Sequence, residues 1–202
     1  MIKKENLEFC FKGKRTYVQG PDIFDAVLEK LKNYFDLDKI NTIKYSAYEM
    51  LYANAYMSIV KDFNKNDYEK INSLITFKFE STQYYIVVSE SKNEIKCSNN
   101  YSEDIVNENS IITSDRIEFK NILNDSLTEI IVSMNKYYLQ NTVTKDGKWI
   151  VTKFEYNSFQ DLNGIKNKMI ELKLKNNFNN KLTKSIITID NEAVGYLYFT
   201  LI

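Results

Sequence analysis

Apolar and polar positions along the chain change period several times. The alternation Leu7, Phe9, Phe11 predicts a strand, and Arg15-Thr16-Tyr17-Val18-Gln19 predicts a second extended piece. Gly20-Pro21-Asp22 stops it and opens a helix. Pro21 suits the first helical position because its missing N–H would be unsatisfied there, and Asp22 and Asp25 set negative charge at the positive end of the helix dipole. Phe24, Val27, Leu28, Leu31, Tyr34 and Phe35 then recur at spacings of three and four, which predicts a helix over roughly 21–35 with one buried face.

Over 39–60 two periods compete. Ile40, Ile43 and Tyr45 fit a strand, whereas Ala47, Leu51, Ala55 and Ile59 recur at every fourth position, so a short strand followed by a helix over 46–60 is favoured. Leu74–Glu80 and Gln83–Glu90 read as a hairpin about Ser81-Thr82, and Ile95-Lys96-Cys97 as one more strand. The polar run Ser98–Asp104 is a boundary that separates residues 1–98 from 105–202.

The second half repeats the order. Ile111–Phe119, containing Arg116, precedes a helical face of Leu127, Ile130, Ile131, Met134, Tyr137 and Tyr138, six positions that lie 103 beyond those of the first helix, and Asp22 maps onto Asp125 by the same offset. Lys148–Tyr156, Met169–Lys175, Leu182–Ile189 and Ala193–Ile202 follow as strands, the last two turning at Asp190-Asn191-Glu192, with Lys173–Lys184 as a solvated hairpin loop. Trp149 packs into the core from a turn at Gly147. Two β-α-β-β-β-β units are the simplest account.

Composition narrows the chemistry. The 202 residues, 44% hydrophobic, suffice for one body or two fused units and argue against disorder. There is no His, which removes Ser-His-Asp and Cys-His catalysis and the commonest zinc ligand. Cys10 and Cys97 are too few for a thiolate metal cage, and free thiols are favoured over a disulfide between them. No cofactor is implied. With 27 basic and 27 acidic residues interleaved, there is no basic field for nucleic acid. The five glycines, Gly13, Gly20, Gly147, Gly164 and Gly195, form no phosphate loop. No apolar run reaches the ~18 residues of a membrane span, and Met1–Glu8 does not read as a signal peptide, so a cytoplasmic protein is expected. Lys-rich, Asn-rich usage, with 24 Asn, reads as coding bias.

The segment Arg15-Thr16-Tyr17-Val18-Gln19-Gly20-Pro21-Asp22-Ile23-Phe24-Asp25 entering the first helix, together with Leu182–Ile189 and Gly195-Tyr196-Leu197-Tyr198-Phe199, gives an order of elements that resembles the hot-dog superfamily of FabA/FabZ-like dehydratases and acyl thioesterases. The resemblance implies an α+β fold of two hot-dog-like units, each an antiparallel sheet wrapped around one long helix. It implies an acyl thioester between helix and sheet, its carbonyl at a helix N-terminus, where oriented N–H groups stabilise developing negative charge. Gly20 would allow close approach there. The dehydratases pair a His with a carboxylate, and without His that dehydration is excluded.

A carboxylate-dependent thioesterase is the catalytic alternative, with Asp25 as general base and Gln19 or Tyr17 orienting it; in the second unit Asn121, Asn124, Asp125 and Ser126 cluster at the corresponding place. Arg15 and Arg116 would take a phosphate of coenzyme A or of a carrier-protein arm. Plainer roles compete: helix capping for Asp22, Asp25, Asn124, Asp125 and Ser126, local ion pairing for both arginines, and a half-buried face for the stripe Tyr45, Tyr48, Tyr52 and Tyr56. The expected function is binding of an acyl thioester or lipid-like ligand, with acyl-CoA or acyl carrier protein as partner. Hydrolysis and a non-enzymatic protein-interaction role are the alternatives.

Overall fold

The computed structural model describes residues 3–202, which divide into two compact units, one ending at Tyr101 and one running Ser102–Ile202. The first contains β1 (Lys3–Leu7), β2 (Phe11–Lys12), α1 (Gly20–Leu31), β3 (Ile40–Ala47), β4 (Ala55–Val60), β5 (Ser73–Phe79), β6 (Thr82–Glu90) and β7 (Ser98–Asn99). Five of these strands pair antiparallel in the order β1-β4-β6-β5-β3, while β2 and β7 form a separate parallel pair. Ile23, Phe24, Val27 and Leu31 form the buried stripe of α1, and the Phe24 ring meets Tyr45 of β3 edge-on at 6.4 Å. A second apolar layer, Ile71, Leu74 and Val87, is covered by Phe63, Tyr68 and Tyr85, whose rings stack through Phe63.

The second unit contains α2 (Asp104–Asn109), β8 (Ser110–Ile112), β9 (Arg116–Lys120), α3 (Leu127–Thr142), β10 (Trp149–Ser158), β11 (Met169–Phe178), β12 (Leu182–Ile189) and β13 (Glu192–Leu201). Its strands pair antiparallel in the order β8-β9-β11-β12-β13-β10. Strict alternation makes β12 bury Thr183, Ser185, Ile187 and Ile189 on one face. Trp149 is buried at the start of β10, its indole N–H donating to the Thr144 carbonyl at 3.4 Å. Asp190 and Asn191 both take positive φ between β12 and β13, the backbone that a two-residue hairpin loop demands.

Several sequence expectations are corrected. Residues 46–60 contain no helix: β3 runs to Ala47 and β4 from Ala55. Four is a multiple of two, so the spacing of Ala47, Leu51, Ala55 and Ile59 also suits a strand face, and β4 buries both faces from Met57 to Val60, which erased its alternation. The tyrosine stripe dissolves accordingly, with Tyr45 buried and Tyr48 and Tyr52 exposed in the β3–β4 connection. Helix α1 stops at Leu31, and Phe35 packs edge-on against Phe77, Phe79 and Tyr84 instead of extending it. Ile95–Cys97 forms no strand, and the tract after Lys173 continues as β11 to Phe178 before turning. Cys10 and Cys97 are joined in a disulfide, their Cα atoms 4.8 Å apart, where free thiols were expected: the fold brings together positions that are remote along the chain. No helix of the described residues is long and apolar enough to cross a membrane.

Candidate functional site

The start of α1 gathers most of the sequence candidates. Gln19 takes the cap position in an extended conformation, its carbonyl accepting from the Ile23 amide at 3.1 Å, but its side chain makes no capping bond. The close approach that Gly20 permits is taken by the protein itself: a Cβ there would lie 3.2 Å from the ring and hydroxyl of Tyr45. That phenol, 2.9 Å from Ser73 Oγ, is fully buried, and burial pushes its pKa up to about 12. The helix terminus expected to receive a thioester carbonyl therefore faces a tyrosine.

Asp22 is committed to Lys12, 2.7 Å away, and Lys12 and Arg15 both lie over the Tyr101 ring, at 5.1 and 4.7 Å from its centroid. Lys12, Arg15, Asp22 and Tyr101 thus form one surface cluster beside the helix start. Tyr17 and Asp25 are half-buried. In the second unit the candidates scatter. Asn124 and Asp125 are exposed in the loop before α3, and Arg116 is bracketed by Glu118 at 2.9 Å and Glu171 at 3.3 Å. Ser126 caps α3, accepting from the Glu129 amide at 3.1 Å. Asn121 is a structural tie: buried, it donates to the Ile165 carbonyl and accepts from the Leu123 amide.

The second unit has its own tyrosine at the first turn of its helix, where the Tyr156 hydroxyl lies 2.7 Å from Thr128 Oγ1, both residues buried. Deeper between α3 and β12, Ser185 Oγ donates to Asn135 Oδ1 at 2.8 Å. Asn135 Nδ2 and Thr183 Oγ1, in fully buried residues, have no hydrogen-bond partner. Leaving such a group unpaired costs about 1–3 kcal/mol. Sequence reasoning missed all three, although a polar residue inside the apolar spacing of a helix and a Thr-x-Ser on the inward face of a strand were the available signals. Every buried polar or charged residue among those described is Ser, Thr or Asn, and none is a carboxylate. The described residues hold no cluster of three His, Cys, Asp or Glu side chains that would bind a metal ion.

No protein-family model matches the chain, and no curated protein matches it. Among solved structures it is similar to the dehydratase domain of PpsC from Mycobacterium tuberculosis in complex with C12:1-CoA, at 9% identity over 98% of this chain and 92% of that one, TM-score 0.51. It is also similar to a monomeric dehydratase domain from a trans-AT polyketide synthase split module, at 10% identity over 100% of both chains, TM-score 0.50. A putative thioesterase II from Thermobifida fusca matches at 6% identity over 94% of this chain and 88% of that one, TM-score 0.49. The likeness shows a hot-dog fold.

Proposed function

We propose that the chain is a fused pair of hot-dog units that binds an acyl thioester or a similar lipid-like ligand and carries out no His-dependent dehydration on it. The observation that carries this reading is the pair of unpartnered groups, Asn135 Nδ2 and Thr183 Oγ1, buried between helix and sheet in the second unit. A ligand carrying an oxygen among apolar carbons satisfies both groups, where a plain hydrocarbon satisfies neither. The duplication is supported by the helices: Ile130, Ile131, Met134 and Tyr138 of α3 are each 107 positions beyond Ile23, Phe24, Val27 and Leu31 of α1. Lys12, which also pairs with Asp22, and Arg15 supply the positive charge beside the helix start that the phosphates of coenzyme A or a carrier arm would meet, and Arg116 sits between two glutamates. The Cys10–Cys97 disulfide favours an oxidising compartment over the cytosol, because such bonds persist there.

Native mass spectrometry against acyl-CoA and acyl carrier protein species of graded chain length tests the reading. Binding is expected, weakened about tenfold in the near-isosteric variant Thr183→Val, which loses one hydrogen bond to the ligand. No binding at any chain length overturns it. Turnover of a thioester that disappears in Asp25→Asn replaces it with hydrolysis, and a stoichiometric protein partner bound without ligand replaces it with an interaction role.

A further inference from the structure

We infer that the Cys10–Cys97 disulfide is a redox-sensitive clamp that holds Ile95–Tyr101 against the start of α1. This does not depend on the ligand reading. Apart from Ile95 and Tyr101, which are half-buried, the segment is exposed, and its only regular structure is the two-residue pairing of β7 with β2. So short a parallel pair is not stable by itself. The bonds of this pairing include the Phe11 amide to the Cys97 carbonyl at 3.0 Å and the Gly13 amide to the Asn99 carbonyl at 2.8 Å, and Ser98 Oγ donates to the Gly13 carbonyl at 3.1 Å. Just upstream, Asn54 independently fixes the chain through Ser91, Asn93 and Glu94, so a release would stop there. At the far end Tyr101 covers Lys12 and Arg15 beside Asp22, which makes the clamp a cover over the cationic cluster.

Cys97 is exposed and Cys10 half-buried, so a reductant reaches the Cys97 sulfur first. A thiolate of a dithiol reductant attacks Cys97 Sγ, the S–S bond breaks, and Cys10 leaves as a thiolate that takes up a proton. The second reductant thiolate then closes on the mixed disulfide and expels Cys97. Two protein thiols form and the dithiol becomes a cyclic disulfide. With the covalent tie gone, only non-covalent contacts, the short β2–β7 pairing and the Tyr101 ring against Lys12 and Arg15 among them, hold the segment.

Hydrogen exchange of the full chain, untreated and after dithiothreitol, reads the clamp at the Phe11 and Gly13 amides. Their exchange is expected to accelerate at least tenfold on reduction while β5 and β6 keep their protection, and Cys97→Ser without reductant should behave the same way. Iodoacetamide should add to two cysteines of the unfolded protein only after reduction. Unchanged exchange at Phe11 and Gly13 overturns the inference, as do two alkylated cysteines in unreduced protein. Loss of protection across the whole unit also overturns it, making the bond a brace of the fold and not a local clamp.

Discussion

The two units share their helix-facing layer and differ in how the strands behind it are threaded. After α3, the strands β11, β12 and β13 each pair with their neighbour in sequence and β10 closes on β13. After α1, β4 pairs with β6 and the β5–β6 hairpin is inserted the other way round, so that β5 meets β3. Both sheets nevertheless set a buried tyrosine from the first strand after the helix against the helix's first turn: Tyr45 beside Gly20, Tyr156 beside Thr128. The two units thus differ in strand order while each sets a strand tyrosine against its helix start. What holds each helix start also differs. Around α1 it is the surroundings, through Tyr45 and the Lys12–Asp22 pair; α3 carries its own cap in Ser126.

The sharpest contrast is between two glycines. A Cβ on Gly195 of β13 would lie 1.9 Å from the Glu155 carbonyl oxygen of β10, backbone that cannot move without breaking the pairing of the two strands. Gly195→Ala is expected to cost about 4 kcal/mol or more, at the far end of single-substitution effects. Gly20→Ala meets only a side chain, at 3.2 Å, and should cost about 1–3 kcal/mol. Urea denaturation of the two variants checks the order, and a Gly20→Ala loss as large as that of Gly195→Ala would mean that Tyr45 is held as rigidly as backbone.

Tyr45 makes the first unit sensitive to alkali. Its folded pKa of about 12 lies above the ordinary value of 10.0, so its contribution to stability is complete below pH 10 and is lost as pH rises from 10 toward 12. Two pKa units correspond to about 2–3 kcal/mol. Tyr68 and Tyr138 are also raised by burial and act in the same direction, so the difference between the wild-type chain and Tyr45→Phe isolates the Tyr45 share. Thermal melts at pH 8 and pH 11 should show a smaller alkaline loss in Tyr45→Phe. At neutral pH, Tyr45→Phe and Tyr156→Phe each strand a buried hydroxyl, on Ser73 and Thr128, and each should cost about 1–2 kcal/mol. Unequal losses would break the equivalence of the two tyrosines.

How far these features were legible in the sequence follows from which interactions are local. Helix α1 and its stripe were readable because Gly20-Pro21-Asp22 and the spacing of Phe24, Val27 and Leu31 lie within one window, and the β12–β13 hairpin because its loop residues accept positive φ. The 103-residue offset pointed to a second helix that the fold contains, while the buried residues Ile23, Phe24, Val27 and Leu31 superpose on buried residues of α3 at 107, since amphipathic faces repeat every three or four residues. Nothing local marks Tyr45 as the neighbour of Gly20, or Cys97 as the partner of Cys10. Those contacts exist only once the strands are paired. Asn124 and Asp125 looked equivalent to the residues that open α1 because polar residues cluster before any helix, and the fold leaves them exposed.

The finest separation of the units lies in their caps. Ser126-Leu127-Thr128-Glu129 has the pattern in which a cap serine bonds the amide of the third helical residue, and the Ser126–Glu129 bond at 3.1 Å is that interaction. Ser126→Ala should cost about 1 kcal/mol, with the loss confined to the first turn of α3 in hydrogen exchange. Gln19→Ala, at the equivalent place on α1, removes a side chain that makes no capping bond and should shift the midpoint by less than about 0.5 kcal/mol. A matching loss in both would show that α1 relies on its own cap after all. A loss only in α3 leaves Tyr45 and the Lys12–Asp22 pair as what fixes α1, so that its start is set by tertiary contacts that form after the strands have paired.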